Sequence, residues 1–197
     1  MKAYYHARAR EYDDWWLGRG LYRPRMRPGW DKARAALERA IAELPAGRTL
    51  DVACGTGFMT RHLRGEVVAL DQSEEMLAVA AEQAPKATLV QGDALELPFE
   101  DGSFDRLFTS YFYCHLEETE RARFLAEARR VASELVIVGS LRRPDLPAER
   151  LEERLLTDGS RWQVYKRFFE PDLLLDELGG GRVLFLCEDF FLMVGSP

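Results

Sequence analysis

Three aspartates and two glycines are the residues of this chain whose types and spacing do chemistry together. Leu50-Asp51-Val52 reads as a short apolar strand carrying a carboxylate at its end, followed at once by the small-residue turn Ala53-Cys54-Gly55-Thr56-Gly57. Val67-Val68-Ala69-Leu70-Asp71 is a second apolar run closed by an acid, 20 residues after Asp51. Ala87-Thr88-Leu89-Val90 is a third, leading into Gln91-Gly92-Asp93-Ala94. A strand, a glycine turn and a helix place unpaired helix N–H groups at the carboxyl end of a sheet, where open α/β folds bind ligands. Gly55 and Gly57 lack a Cβ, so backbone can approach a ligand closely there.

The acids narrow the ligand. Gly55-Thr56-Gly57-Phe58-Met59-Thr60 matches only the first half of the dinucleotide fingerprint, with Thr60 at its third glycine. A carboxylate at Asp51 repels a pyrophosphate and suits an ammonium group. No phosphate-loop pattern occurs in the chain. An acid closing the second strand, about 20 residues on, is placed to accept hydrogen bonds from ribose hydroxyls. The pattern therefore describes a binding edge for a ribonucleoside whose other end is cationic.

With these residues the chain resembles the class I S-adenosylmethionine-dependent methyltransferases, in particular the small type 11-like domain. The resemblance rests on Leu50 to Gly57, on Asp71, on Gly92-Asp93-Ala94 and on Ser103-Phe104-Asp105, and it covers residues 31 to 140 best. It implies a three-layer αβα Rossmann-like sandwich with a mostly parallel seven-stranded sheet and one antiparallel strand near the C-terminus. It implies S-adenosyl-L-methionine as cofactor, S-adenosyl-L-homocysteine as product, and no metal. Asp51, Ala53, Cys54, Gly55, Thr56 and Gly57 would orient the methionine part. Asp71 would take the ribose and Asp93 the adenine amino group, with Gln72, Met76, Ala94 and Ser110 completing the cofactor site. Ala53 stands where many members have a glycine. The Lys-Pro-Gly-Gly turn of many members is replaced by the shorter Ala132-Ser133-Glu134.

The elements that must position these residues follow from the hydrophobic periodicity. Tyr5, Ala9, Tyr12 and Trp16 recur at helical spacing, predicting a helix over residues 3–16 that packs on the domain or forms a lid over cofactor and substrate. Arg19, Arg23, Arg25 and Arg27 lie in the following loop, either meeting an anionic substrate or pairing with Glu11, Asp13 and Asp14. Ala36, Leu37, Ala40, Ile41 and Leu44 share a face of a helix over 31–44 that Asp31 is placed to cap. Phe58 to Leu63 reads as the start of a helix. Ser73 caps another helix with Glu74 and Glu75 in its first turn, and Pro85 stops it. Residues 118–131 form one more amphipathic helix, and Leu135 to Gly139 is a β-branched run suited to a sheet buried on both faces.

Beyond the fourth strand, Phe104 to Ser110, lies Tyr111-Phe112-Tyr113-Cys114-His115. Loops at the carboxyl edge hold the chemistry of a parallel sheet. His115 is thus the candidate general base, with Tyr111 beside it; satisfying a buried polar contact is the competing role for His115. Tyr12, Trp16 and Tyr113 are candidate acceptor-binding residues. The Asn-Pro-Pro-Tyr motif of amino-methylating relatives is absent, since Ser110-Tyr111-Phe112-Tyr113 stands there. Residues 141–170 break the strand–helix rhythm. Glu149 to Leu156 is expected as a short helix and the aromatic, basic stretch Arg161 to Phe169 as a loop over the sheet edge. Pro171 opens a last helix closed by Gly179-Gly180-Gly181. Arg182 to Cys187 and Phe190 to Val194 are two strands joined by Glu188-Asp189.

The chain of 197 residues is expected to form one domain, divided into a lid segment (1–30), a cofactor-binding core (31–140), a substrate-covering segment (141–170) and a final helix with a strand hairpin (171–197). That leaves no room for a separate substrate domain, so a small-molecule acceptor is expected. Hydrophobic residues make up 47% and charged residues 30%, ordinary for a globular protein. The net charge of -6 argues against a general nucleic-acid binder. No apolar run approaches the ~18 residues of a membrane span. The start Met1-Lys2-Ala3-Tyr4 does not read as a signal peptide, and three cysteines without metal-ligand spacing predict a reduced, cytoplasmic monomer or homodimer. Two rival readings remain beside methyl transfer: a non-catalytic binding subunit acting with a partner, and an NAD(P)-dependent oxidoreductase.

Overall fold

The structure is a computed structural model that describes residues 2–25, 27–145, 147–187 and 190–196. The chain enters through α1 (Lys2–Arg8), a 3-10 turn (Ala9–Glu11), α2 (Asp14–Leu17) and a 3-10 stretch (Gly20–Arg25). Then α3 (Trp30–Ala42) leads into β1 (Gly47–Val52), β2 (Gly65–Asp71), α4 (Glu74–Gln83), β3 (Thr88–Gln91) and β4 (Phe104–Ser110). After α5 (Glu118–Val131) come β5 (Ala132–Ser140), β6 (Glu149–Leu155), β7 (Arg161–Arg167), α6 (Pro171–Glu177), β8 (Arg182–Cys187) and β9 (Phe191–Ser196).

Seven strands form one sheet in the order β3-β2-β1-β4-β5-β9-β8, and β6 pairs with β7 as a separate antiparallel hairpin. The pairs from β3 to β5 are all parallel, and β9 runs antiparallel to both neighbours. This is the expected three-layer sandwich. The strands form because their apolar runs are short, rich in branched residues and bounded by glycine or acid. In β5, Leu135 to Gly139 is buried throughout, as a strand covered on both faces requires. Leu50, Leu70, Leu107, Phe108, Val136 and Ile137 fill the centre of the sheet with no more than a trace of exposure. Each such side chain contributes about 1.5–3 kcal/mol of burial free energy.

Helix starts follow local chemistry. The Ser73 hydroxyl accepts the Met76 N–H (3.3 Å), with Glu74 and Glu75 in the first turn of α4. Pro171 occupies the first turn of α6, where its missing N–H costs nothing. The helix over 118–131 stands where the periodicity placed it.

Five expectations are corrected. The helix over residues 3–16 is broken into α1, a 3-10 turn and α2, because the chain bends to lay Tyr12 and Trp16 against the Gly55 turn. Asp31 does not cap α3: Gly29, at φ 86°, holds that position and the helix begins one residue earlier. Phe58 to Leu63 yields only a 3-10 turn, Thr60–His62. Glu149 to Leu155 is a strand, since its partner Arg161–Arg167 is a strand too and not a loop. The last strand runs Phe191–Ser196, shifted from Phe190–Val194. The Glu188-Asp189 connection and the Arg25 side chain lie outside the described residues.

Candidate active site

Strand order reverses between β1 and β4, and this switch point brings Asp51 and Ser110 to the same edge. Asp51 is 1% exposed, and its Oδ2 accepts the Thr60 hydroxyl at 2.6 Å. Its Oδ1 has no hydrogen-bond partner, and neither has the Ser110 hydroxyl. Burial pushes the Asp51 carboxyl up to about 7, with the Thr60 bond opposing and nearby Asp71 adding to the rise. Both residues line a cavity of about 280 Å³ with Tyr12, Ala53 and Cys54. A buried carboxylate oxygen left unpaired costs about 1–3 kcal/mol or more. A donor cation of ammonium type would satisfy it.

The turn after β1 is held by backbone bonds. Cys54 N–H donates to the Leu70 carbonyl (3.0 Å) and Gly57 N–H to that of Cys54 (3.1 Å). Gly57 has φ 76°, and a Cβ there would stand 3.2 Å from Ala80 Cα, so only glycine lets α4 pack so closely. Ala53 adopts φ 58° without being glycine, which stores strain at the mouth of the site. At the end of β2, Asp71 Oδ2 accepts the Gly55 N–H and Oδ1 the Ser73 N–H, both at 2.9 Å. Each oxygen keeps a lone pair for a ligand hydroxyl. Burial raises the Asp71 carboxyl above its usual range, against the N–H bonds from Ser73, Gly55 and Gln72.

A cleft of about 970 Å³ gathers the rest. Of the residues singled out from the sequence, Tyr12, Ala53, Gly55, Asp71, Gln72, Met76, Asp93, Ala94, Ser110 and Tyr111 line it. Cys54 faces the smaller cavity beside Asp51. Thr56 is buried behind the turn, its hydroxyl donating to Asp13 Oδ1 (2.6 Å). Asp13 also accepts from the Gln83 side chain, while Glu11 accepts the Thr157 N–H (3.1 Å). Those acids are therefore spent on anchoring the N-terminal segment. Trp16 is 2% exposed and stacks on Phe58 with centroids 5.4 Å apart.

The acceptor-binding candidate Tyr113 and the candidate base His115 stand elsewhere. Tyr113 lies outside the cleft lining, fully buried, with its hydroxyl donating to Glu177 Oε1 at 2.6 Å. The 3-10 turn Tyr113–His115 rotates that ring toward α6. His115 lines a second cavity, which shares Tyr5, Tyr12 and Tyr111 with the cleft. Its Nδ1 lies 2.6 Å from the Tyr165 carbonyl oxygen, which only accepts, so Nδ1 carries the proton and neutral His115 keeps Nε2 as an acceptor. Burial first, then the Lys166 charge, hold the imidazole well below its usual range, which keeps it neutral at pH 7. This geometry satisfies the buried polar contact and leaves Nε2 free to accept.

The sequence pointed to none of Tyr5, Leu95, Phe112, Leu116 or Glu120, which also line the cleft. Tyr5 was only a helix-face residue by periodicity, Phe112 lay unassigned within the stretch after β4, and Leu95, Leu116 and Glu120 carry no spacing of their own. No group of three or more His, Cys, Asp or Glu placed to hold a metal occurs among the described residues. No helix among them is long and apolar enough to cross a membrane.

Comparison with known proteins gives this geometry a context. A family described as a methyltransferase domain matches residues 50–135. A demethylmenaquinone methyltransferase of Renibacterium salmoninarum is 40% identical over 95 residues, covering 47% of this chain and 39% of that protein. The match thus spans well under half of that relative's own length. A solved DhpI-SAM-HEP complex aligns with a TM-score of 0.77 at 27% identity, covering 99% of this chain and 95% of that one. A DhpI-SAH complex aligns at 0.73 and 29%, covering 98% and 92%.

Proposed function

We propose that the chain is a class I S-adenosylmethionine-dependent methyltransferase and that it transfers a methyl group to a small-molecule acceptor. The single observation that carries the proposal is the orphaned Asp51 Oδ1, buried beside the unpaired Ser110 hydroxyl at the strand-order reversal. An ammonium and a nucleoside at opposite ends of one ligand fit Asp51 at one end and Asp71 with Asp93 at the other. Gln72, Met76 and Ala94 supply the wall between, and Gly55 leaves the turn open, with Tyr12 the nearest side chain to it.

When bound, S-adenosylmethionine supplies a sulfonium methyl group that a nucleophilic atom of the acceptor displaces in line. The protein's own share is to place the two reactants and keep water out. Positioning of this kind is worth up to ~7–11 kcal/mol. Tyr12, anchored through its neighbour Asp13, lies across the turn as a cover. Tyr111, held at φ 58°, projects between cleft and second cavity. His115 Nε2, kept unprotonated, takes the proton where the acceptor atom bears one. Neither Tyr113 nor Trp16 is assigned a direct acceptor contact. The cysteines Cys54, Cys114 and Cys187 are free thiols, in keeping with a reduced, cytoplasmic setting.

The test is calorimetric titration with S-adenosylmethionine, S-adenosylhomocysteine and NAD(H). Micromolar binding of the first two and none of the third is expected. Binding of NAD(H) alone would return the chain to the oxidoreductase reading. Asp71→Ala is expected to abolish measurable binding of S-adenosylhomocysteine; unchanged affinity would refute the ribose assignment.

A further inference from the structure

The second cavity is lined by two buried cations that the methyl-transfer reading leaves without a task. Arg8 is 7% exposed. One guanidinium nitrogen donates to the Tyr4 hydroxyl (2.9 Å), and the group lies over the rings of Tyr4, Tyr12 and Tyr22. Its Nε is buried with no hydrogen-bond partner. Lys166 is 5% exposed; its Nζ donates to Cys114 Sγ (3.0 Å) and lies 4.6 Å from the centroid of Tyr111. Neither cation has a carboxylate within ion-pair distance among the described residues.

Buried charges normally come paired. Cation–π contacts and a thiol do not replace a counterion. The same cavity receives Arg154, which shares Glu152 with Arg150. It shares Trp15, Tyr111, Arg154 and Lys166 with a neighbouring basin, also lined by Arg27, Arg143 and Arg150, in which Glu152 is the acid among the lining residues. Glu152 is held below its usual range: burial opposes its ionisation, but Arg154 and Arg150 outweigh it. It is therefore a full negative charge, shared by Arg150 and Arg154, while Arg143 pairs with Asp145; Arg8 and Lys166 have no such carboxylate among the described residues. On the other side, Tyr5, Tyr12 and Tyr111 form the wall shared with the cofactor cleft.

We infer that this cavity is the acceptor subsite and that the acceptor carries a small tetrahedral oxyanion, phosphate-like in size and double charge, clamped by Arg8, Lys166 and Arg154. The inference rests on the methyltransferase reading for the word acceptor, but the anion site stands on its own residues. A dianion matches the two unpaired cations, with Arg154 adding bonds at the rim, and a guanidinium with a free N–H suits such an oxyanion. A group held there sits beside His115 and next to the aromatic wall of the cleft. This places specificity in α1 and β7, two elements that meet only in the folded chain.

The experiment titrates the intact chain, with and without saturating S-adenosylhomocysteine, with inorganic phosphate, sulfate and acetate, following tryptophan fluorescence and heat. Phosphate and sulfate are expected to bind in the millimolar range or tighter, and acetate at least 5-fold more weakly. Lys166→Met and Arg8→Gln are each expected to weaken phosphate at least 10-fold while S-adenosylhomocysteine affinity stays within 3-fold. Arg154→Gln, at the rim, gives a smaller loss and serves if the buried variants do not fold. Phosphate binding untouched by the variants that fold marks an adventitious ion only and overturns the inference, as does acetate binding as well as phosphate. Cofactor binding without phosphate binding sinks the subsite and spares the methyltransferase reading. Phosphate binding without cofactor binding sinks that reading and leaves the anion site in place.

Discussion

At the scale of single residues the site turns on Asp51. With its carboxyl pushed up to about 7 by burial, the native state prefers the proton more than the unfolded chain does. Stability from this group is fully present below the ordinary carboxylate range, is lost as pH rises toward about 7, and is level above. A cationic ligand reverses the preference, because it favours the carboxylate. Cofactor affinity should therefore rise between pH 6 and 7.5, with a proton released on binding. Asp51→Asn should lose at least 10-fold in affinity, and both the pH slope and the proton release should vanish. Calorimetry in two buffers of different ionisation heat reads this directly. Ala53 offers a second test. Its left-handed φ of 58° costs about 1–2 kcal/mol, and Ala53→Gly removes that while adding about 0.4–1 kcal/mol of unfolded-state entropy. A net gain of up to about 1.6 kcal/mol in urea unfolding is expected.

At the scale of elements, the short pieces α1 and α2 are held over the cleft mostly by side chains and not by a continuous helix. Asp13 fastens them through Thr56 and Gln83. Asp13→Ala should loosen residues 2–17 with little effect on the sheet. Hydrogen exchange would then rise in α1 and α2 alone, and cofactor would leave faster; equal protection in both proteins would mean that Tyr12 and Trp16 packing suffices. The β6–β7 hairpin shows where local pattern misled. Glu149-Arg150-Leu151-Glu152-Glu153-Arg154 has the charge and leucine content of a helix, yet it pairs in register with Arg161–Arg167. Side-chain propensity is weak against a ladder of backbone hydrogen bonds plus cross-strand pairs, and only the partner strand settles the contest.

For the molecule as a whole, Glu177 ties four elements together. It accepts from Tyr113 (2.6 Å), Arg121 (2.8 Å) and Arg167 (2.7 Å), joining the 3-10 turn and α5 to β7 and α6. Burial opposes its ionisation, but the Tyr113 hydroxyl and the two guanidiniums hold it below the usual range. The stability it adds is present at neutral pH and lost as pH falls through its lowered folded-state value. Glu177→Gln should cost about 1 kcal/mol at pH 7, since the group is only half-buried and screened. The difference from the parent should close in acid. Chemical unfolding at pH 7 and below pH 4 measures both.

The sequence by itself determined the strand and acid rhythm at Asp51, Asp71 and Asp93, the Ser73 cap, the Pro171 start and the buried run Leu135 to Gly139. Each of these is written in a few adjacent residues whose backbone preferences and solvation act locally. That was enough to state the sandwich and many of the residues that line the cleft. Tertiary structure alone decided that Tyr113 turns to Glu177, that Asp13 serves Thr56, and that Arg8, Arg154 and Lys166 meet in one cavity. Those residues are far apart in the chain, and no local spacing relates them. Their meeting depends on where α1 and the hairpin settle against the sheet, which is governed by aromatic packing and by charges whose partners come from other elements.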